Sequence, residues 1–342
     1  MELRGLNSAF DNIGYIPFVN LQWRRRYYEP GEFSVQIRAD DYDPEMQYVI
    51  ATNRPEIGMI QRIYTTDTMK GRFVQIEGYF LEKALDRSVV FPLFTRTGTP
   101  PVIAQAAVSA FPPDGLTLNV DAALTTGTTT EVEWHGEEVG RALYDLLKTQ
   151  EYSHRITLDY QTNALTYGVW RGKNRTQSQT NNAFAIFSDS SAAVEEFKLT
   201  EDSSGYKNFA VIAYGDESSP SYIYVDKRKS GEEKRQIFVD YIGSNEEKTA
   251  MRQDATERLQ QYEFIRNAEL KVLQNGMFYL SDYDLGDKCD VVNHRLQKSY
   301  EARIIEIDEV FKANQHLVSI AFGEKIPTNY GKLSRLARNI RR

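Results

Sequence analysis

Little in this chain is suited to covalent chemistry. It has 342 residues and a single cysteine, Cys289, which excludes an intramolecular disulfide framework and a multi-cysteine zinc site. Histidine is scarce as well, with His135, His154, His294 and His316 spread along the chain. His135-Gly-Glu-Glu138 lacks the second histidine, one helical turn on, that a metalloprotease helix requires. Cys289 and His294 lie close together but lack two further ligands, so Cys289 reads as a structural thiol in a strand. There is no Gly-x-Ser-x-Gly elbow, no phosphate-cradling glycine loop and no dinucleotide fingerprint. No run approaches the ~18 apolar residues of a membrane span, and Met1-Glu-Leu-Arg-Gly-Leu does not read as a signal peptide. The expectation is a chain made in a reducing cytoplasm that takes no membrane as a monomer. Acids outnumber bases, 48 to 41, which makes nucleic acid a poor partner for the surface as a whole.

What is present is strand material. The hydrophobic fraction is 41% and the aromatic fraction 12%, with 21 Tyr and 17 Phe supplying most of the rings. That bias favours strands over helices. The length suits two to four domains. Residues 1–92 read as a first β-barrel-like domain. Its strands are expected at Tyr15 to Trp23, Phe33 to Ala39, Met46 to Ala51, Gly58 to Thr65 and Arg72 to Leu81, and Tyr28-Glu-Pro-Gly31 is the turn between the first two. Phe33, Val35 and Ile37 alternate with Ser34, Gln36 and Arg38, the period of a half-buried strand.

Residues 93–190 read as a mixed α/β insertion. It carries a helix at Pro100 to Ala110 with prolines in its first turn, an exposed excursion at Asp114 to Thr130 and a helix at Gly136 to Thr149. A hairpin at Arg155 to Trp170 and a mobile polar loop at Arg171 to Asn182 complete it. Residues 191–328 read as a second β-barrel-like domain with a helix at 245–264. Residues 329–342 form a basic tail in which Leu333, Leu336, Ala337 and Ile340 share a helical face with Lys332, Arg335, Arg338, Arg341 and Arg342 around it. The fold class is therefore α+β and β-rich, two barrel-like domains bracketing an insertion.

The candidate clusters are weak ones. Asp282, Asp284, Asp287 and Asp290 are the densest carboxylates. Gly286 falls at the fifth position from Asp282, not the sixth, and no glutamate closes the loop at position twelve, so they read as turn acids rather than a calcium loop. Arg24, Arg25 and Arg26, flanked by Trp23, Tyr27 and Tyr28, have the makings of a nucleic-acid platform. Strand alternation instead splits them across two faces, with Arg24 and Arg26 exposed. A glycosidase needs two opposed carboxylates, and no pair is singled out among so many acids. Trp134 and Trp170 could stack on sugars but read better as core residues. No catalytic, cofactor-binding or metal-ligating residue is assigned, and no enzyme activity is expected.

Two segments are distinctive. Gly78-Tyr-Phe-Leu-Glu-Lys-Ala-Leu-Asp-Arg87 reads as a strand running directly into a helical turn, with β-formers before it and helix formers after. Tyr283-Asp-Leu-Gly-Asp-Lys-Cys-Asp-Val-Val292 reads as a tight turn delivering a strand, with Gly286 supplying backbone freedom. Gly78 to Arg87, followed by Val89-Val-Phe-Pro92, resembles the corresponding segment of Gp37-like siphophage tail proteins, and Tyr283 to Lys288 is similar to the turn near the end of the same family's hub module. Phe18 to Trp23, Tyr27 to Phe33 and Ile304 to Gly323 fall in the same order, so the resemblance spans about residues 10 to 325.

The resemblance implies a fold of the baseplate-hub type and a structural, non-enzymatic role. It implies a homotrimeric ring at the distal end of a virion tail, bound to the distal tail protein or tail tube, to a tape-measure protein and to a tip or receptor-binding protein, with DNA only in passage. Nothing in the 342 residues corresponds to the fibrous or peptidoglycan-cleaving extensions of long tail-associated proteins. The alternatives are a cell-wall or polysaccharide-active tail enzyme and a carbohydrate-binding module.

Overall fold

A computed structural model of the chain describes residues 1–323 except 70, 245, 261, 263, 313 and 314. The basic tail expected at 329–342 lies outside the described residues. In chain order the first strands are β1 (Leu3–Leu6), β2 (Asn12–Tyr15), β3 (Phe18–Arg26), β4 (Glu32–Arg38), β5 (Tyr48–Ala51), β6 (Ile57–Thr68) and β7 (Gly71–Phe80), and a 3-10 turn follows over Leu81–Arg87. The middle of the chain contributes β8 (Phe94–Gly98), α1 (Pro100–Ala110), β9 (Leu118–Asp121), β10 (Thr130–Trp134), α2 (Val139–Lys148), β11 (Ser153–Asp159) and β12 (Ala164–Trp170). The remainder supplies β13 (Ile186–Ser188), β14 (Val194–Asp202), β15 (Phe209–Asp216), β16 (Ser219–Asp226), β17 (Gln236–Ile242), α3 (Lys248–Gln260), β18 (Ile265–Val272), β19 (Lys288–Asn293), β20 (Lys298–Lys312) and β21 (Gln315–Gly323). The chain divides into two units, one of Met1–Phe197 with Glu269–Phe322, the other of Lys198–Ala268 with Gly323.

In the larger unit a single sheet runs β21-β20-β3-β4-β7-β6-β5-β1-β2. The N-terminal strands and the late strands therefore share hydrogen bonds directly, because β3 pairs antiparallel with β20 from Asn20↔Lys312 to Arg26↔Glu306. The expected closure into barrels is not found: the strand order is open, and no sheet closes among the described residues. Local alternation specifies which face is buried but carries nothing about whether the last strand returns to the first.

The alternation itself is observed. Leu21, Trp23, Phe33, Val35, Ile37, Val74, Ile76 and Phe80 are buried on one face and form one core. A second core joins α1, α2, β11 and β12 to Leu6, Ile50, Ile57 and Met59 of the N-terminal strands. The helix expected at Pro100 to Ala110 has those bounds, and its two prolines occupy the first turn, where no backbone N–H is needed. The excursion expected at Asp114 to Thr130 contains β9, which pairs parallel with β12, a partner too distant in sequence for local patterning to reveal.

The smaller unit holds a three-stranded sheet of order β16-β15-β17, with β15–β16 antiparallel and β15–β17 parallel. Met251, Ala255 and Leu259 of α3 pack on Ala210, Ile212 and Val239. Tyr222, Tyr224 and Phe238 are exposed.

Candidate functional site

The two distinctive segments form joints in the larger unit, and both reach one small cavity. At the first joint β7 ends at Phe80 and the 3-10 turn begins at once, burying Leu81, Glu82, Ala84 and Leu85. Gly78 is required because a side chain there would run into the backbone carbonyl of Met59 on the paired strand β6. Glu82 turns inward and its Oε1 accepts a hydrogen bond from the Ile156 N–H of β11 at 3.0 Å. Next to it His154 is 2% exposed. It lies between the rings of Tyr144 and Tyr167, at centroid distances of 4.1 and 5.5 Å, with neither ring nitrogen hydrogen-bonded to the protein. Burial depresses the His154 imidazole to about 3 and raises the Glu82 carboxyl to about 7. At this joint burial works against the charged form of both groups.

The second joint is built from ion pairs. Gly286 has φ +80°, a left-handed conformation that glycine adopts without strain, and a side chain there would collide with the Tyr27 ring. Asp284 Oδ1 accepts from Arg25 Nη1 at 2.6 Å. Asp287 accepts from the Lys173 N–H at 2.7 Å and from Arg175 Nε at 2.6 Å. Asp290 Oδ2 accepts from the Gln177 N–H at 2.8 Å, and Asn174 bridges to Lys288. The stretch Arg171 to Asn182, expected as a mobile loop, is thus fastened by backbone and side-chain bonds to the turn acids. Arg175 and Thr176 are buried in it, while Arg171, Lys173, Asn174, Gln177 and Ser178 are exposed. The remaining acid, Asp282, accepts from the Phe278 N–H at 2.7 Å within its own turn.

Tyr27 ties the joints together. Its hydroxyl donates to the Glu151 carbonyl at 2.9 Å and its ring meets Trp170 edge-on at 4.9 Å. Ser153 Oγ donates to the Tyr27 carbonyl. Burial raises the Tyr27 hydroxyl to about 12. Arg303, which donates to the Gly286 carbonyl, also holds Glu151 Oε2 at 2.6 Å, and Arg171 holds the same oxygen at 2.8 Å. Deeper in, Arg25 is 1% exposed and bonds Glu56 Oε1 and the Tyr279 hydroxyl, each at 2.6 Å. Burial alone would loosen its proton, but Glu56, Tyr279 and Asp284 outweigh burial and raise its pKa. Arg54 Nε bonds the fully buried Glu309 at 2.7 Å, and His316 Nε2 lies 3.0 Å from the other Glu309 oxygen. Burial would raise the Glu309 carboxyl, yet His316 and Arg54 together hold it below the usual carboxylate range.

A cavity of about 20 Å3 lies between the joints, lined among others by Phe80 and Glu82 of the first, Leu285 of the second, and Glu56, His154 and Trp170. It has room for one water molecule.

Of the residues weighed from sequence, the structure brings Arg25 to Asp284, Tyr27 to Trp170, and His154 and Trp170 to one cavity. His135 is exposed beside Phe91, His294 is exposed next to Asp189, and His154 and His316 are parts of the networks above. Cys289 is fully buried in β19, where burial raises its thiol. Trp134 stacks on Phe94 at 5.8 Å, and Trp170 is committed to Tyr27. Among the described residues no group of three or more His, Cys, Asp or Glu side chains is placed to hold a metal ion.

The arginine triplet does split by strand alternation. Arg24 and Arg26, expected to be exposed, are instead partly covered and engaged with Glu32, Glu306 and Asp308. Sequence reasoning missed the buried roles of Arg25, Glu82, His154 and Glu309. For Arg25 the signal was available: alternation places it on the inner face with Leu21 and Trp23.

The fold is that of phage tail proteins. A tail protein from Neisseria meningitidis MC58 is similar over 95% of this chain and 96% of its own, at 13% identity and a TM-score of 0.60. The 43 kDa tail protein of prophage MuSo2 from Shewanella oneidensis is similar over 94% and 97%, at 16% identity and a TM-score of 0.61. Prophage tail protein gp18 from Listeria monocytogenes EGD-e is similar over 100% of both chains, at 12% identity and a TM-score of 0.56. A comparison with curated protein sequences returns no match. Residues 2–324 match the family described as Siphovirus ReqiPepy6 Gp37-like protein, so the joints, the open sheet and the helices between them are all covered by that match, and the chain belongs to this family.

Proposed function

We propose that this chain is a structural component of a bacteriophage or prophage tail, a hub at the distal end that joins the tail tube or distal tail protein to tip and receptor-binding components. Three copies form a ring in this reading. The β segments in 1–92 and 191–328 line it, the segment 93–190 decorates it, and the bore admits the tape-measure protein and then DNA. The virion tail is its location, and the chain carries no catalytic step. The observation that supports the reading is whole-length similarity: the matched family covers residues 2–324, and each of three tail-protein folds covers 94–100% of the chain. The extended core and the buried ionic seam fit a part that bears load rather than one that turns over substrate.

The test is assembly. Light scattering or mass photometry of the full chain, alone and with the tube and distal tail proteins of its own phage, is expected to show a trimer or a trimer-containing complex. A strict monomer with no affinity for either partner overturns the ring.

A further inference from the structure

Glu82 is a buried carboxyl with no cation bonded to it. It is 4% exposed, and its one bond from the neighbouring strand is the Ile156 N–H. Every element packed round it is known by its charges. From the approach to β4 comes Glu29, from the approach to β6 comes Glu56, and from α2 comes Tyr144, with Arg26 at the end of β3. Arg26 is paired with Glu32 and Glu306. From β11 come His154, which is neutral, and Arg155, whose guanidinium lies 5.1 Å over the Trp170 ring. On its own turn Asp86 is paired with Lys83. Arg155 favours the ionised form of Glu82, Glu56 opposes it, and burial outweighs Arg155.

The cavity beside it is lined by Glu56, whose Oε2 has no protein partner, by His154 with two such nitrogens, and by Trp170 with an unpartnered Nε1. These are buried polar atoms of residues that line a cavity with room for one water, the setting in which internal water is found.

We propose that Glu82 is a proton-binding site that holds the first joint shut: with the proton bound, α2 and β11 stay packed on the 3-10 turn, and its loss draws water into the cavity and loosens them. The physical reason is that a carboxylate buried without a cation must either find water or move. Neutral Glu82 keeps its hydrogen bond from Ile156 and presents no charge to Glu56 or to the Tyr144 and His154 rings. Ionised Glu82 faces the like charge of Glu56. This site belongs to the chain itself and does not depend on ring formation. Its direction is supported by the raised Glu82 carboxyl.

Infrared spectroscopy of the full chain reads the proton directly. The carboxylic-acid carbonyl band of a buried protonated acid is expected at pH 6 and lost by pH 8, and it should be absent at both in Glu82→Gln. Amide hydrogen exchange, corrected for intrinsic rates, reads the joint. Residues 139–148 and Ile156 should exchange at least several-fold faster at pH 8 than at pH 6 in the wild type and at equal rates in Glu82→Gln. The idea is overturned if the band is missing at pH 6, if it persists in Glu82→Gln, or if exchange in the two proteins responds alike to pH. Should Glu82→Gln not fold, Glu82→Met replaces it, and the wild-type infrared titration still decides.

Discussion

At the Gly78–Arg87 joint a glutamate is buried with no cation bonded to it, whereas at the Tyr283–Val292 joint Asp284 and Asp287 each have an arginine at 2.6 Å. Glu82 and Asp287 are comparably buried while the Asp284 side chain is 42% exposed, so between the two deep acids the contrast is not one of depth. It is one of partners. Burying an ion costs several kcal/mol, and a protein meets that cost either by discharging the group or by pairing and hydrogen-bonding it. Glu82 and His154 follow the first route and depend on pH. Arg25, Arg175 and Arg303 follow the second and depend on keeping every member in place.

The largest effect should come from breaking the paired joint at its centre. Arg25→Met strands the buried Glu56 while the half-exposed Asp284 keeps water, and unfolding by urea should show a loss of about 3–5 kcal/mol. Replacing Glu56 by Leu in the same chain should recover a large part of it. A loss in Arg25→Met below about 1 kcal/mol would make the seam ornamental.

The neutral joint is broken by pH. Glu82 has a pKa of 4.5 in the unfolded chain and about 7 in the folded one, so the folded chain binds more protons between those values. Stability from this group is lost as pH rises from about 4.5 to 7 and stays lost above, about 3 kcal/mol in all. His154 has the opposite sign: its pKa falls from 6.5 to about 3, so its cost appears as pH drops through that window. The two slopes cancel between pH 4.5 and 6.5. Glu82→Gln should therefore gain on the wild type progressively from pH 4.5 to 7, with a constant gap outside. Urea titrations at stepped pH measure the gap, and a pH-independent difference would dissolve the distinction between the joints.

Steric perturbation of the paired joint should come next. Gly286→Ala puts a methyl group against the Tyr27 ring and strains a backbone at φ +80°, a loss of about 2 kcal/mol read from thermal unfolding. The smallest effect belongs to the partly exposed ladder beside the seam. Asp308→Asn removes one partner of Arg24, which keeps Glu32, and should cost about 0.5–1 kcal/mol and shrink further in high salt. An equal cost at low and high salt would place that ladder with the buried pairs instead.

Much of the local structure was legible. Period-two alternation marked β4, the prolines marked the start of α1, and the change from β-formers to helix formers marked the passage from Phe80 into Leu81–Arg87. Gly286 was read as a turn glycine, and its left-handed φ agrees. The expected barrels are not found and the open sheet was not legible, because closure depends on which strands become neighbours, and β3 chose β20 across nearly the whole chain. The loop at 171–182 was misread because a polar segment looks the same whether its partners are water or the carboxylates of Asp287 and Asp290. Glu82 was invisible for a related reason. One glutamate among many acids gains its character only from Tyr144, His154 and Glu56, which reach it from separate parts of the sequence.

Sequence by itself determined the strand-rich character, the position of the two joints, the scarcity of reactive groups and the resemblance to Gp37-like tail proteins. These depend on residue type and on neighbours a few positions away. Tertiary structure alone decided that the early and late strands share one open sheet, that Arg25 meets Glu56, Tyr279 and Asp284, and that the two joints face a common cavity. Those facts rest on burial and on pairing across more than two hundred residues, and the cost of a charge is set by what the rest of the chain brings within hydrogen-bond reach of it.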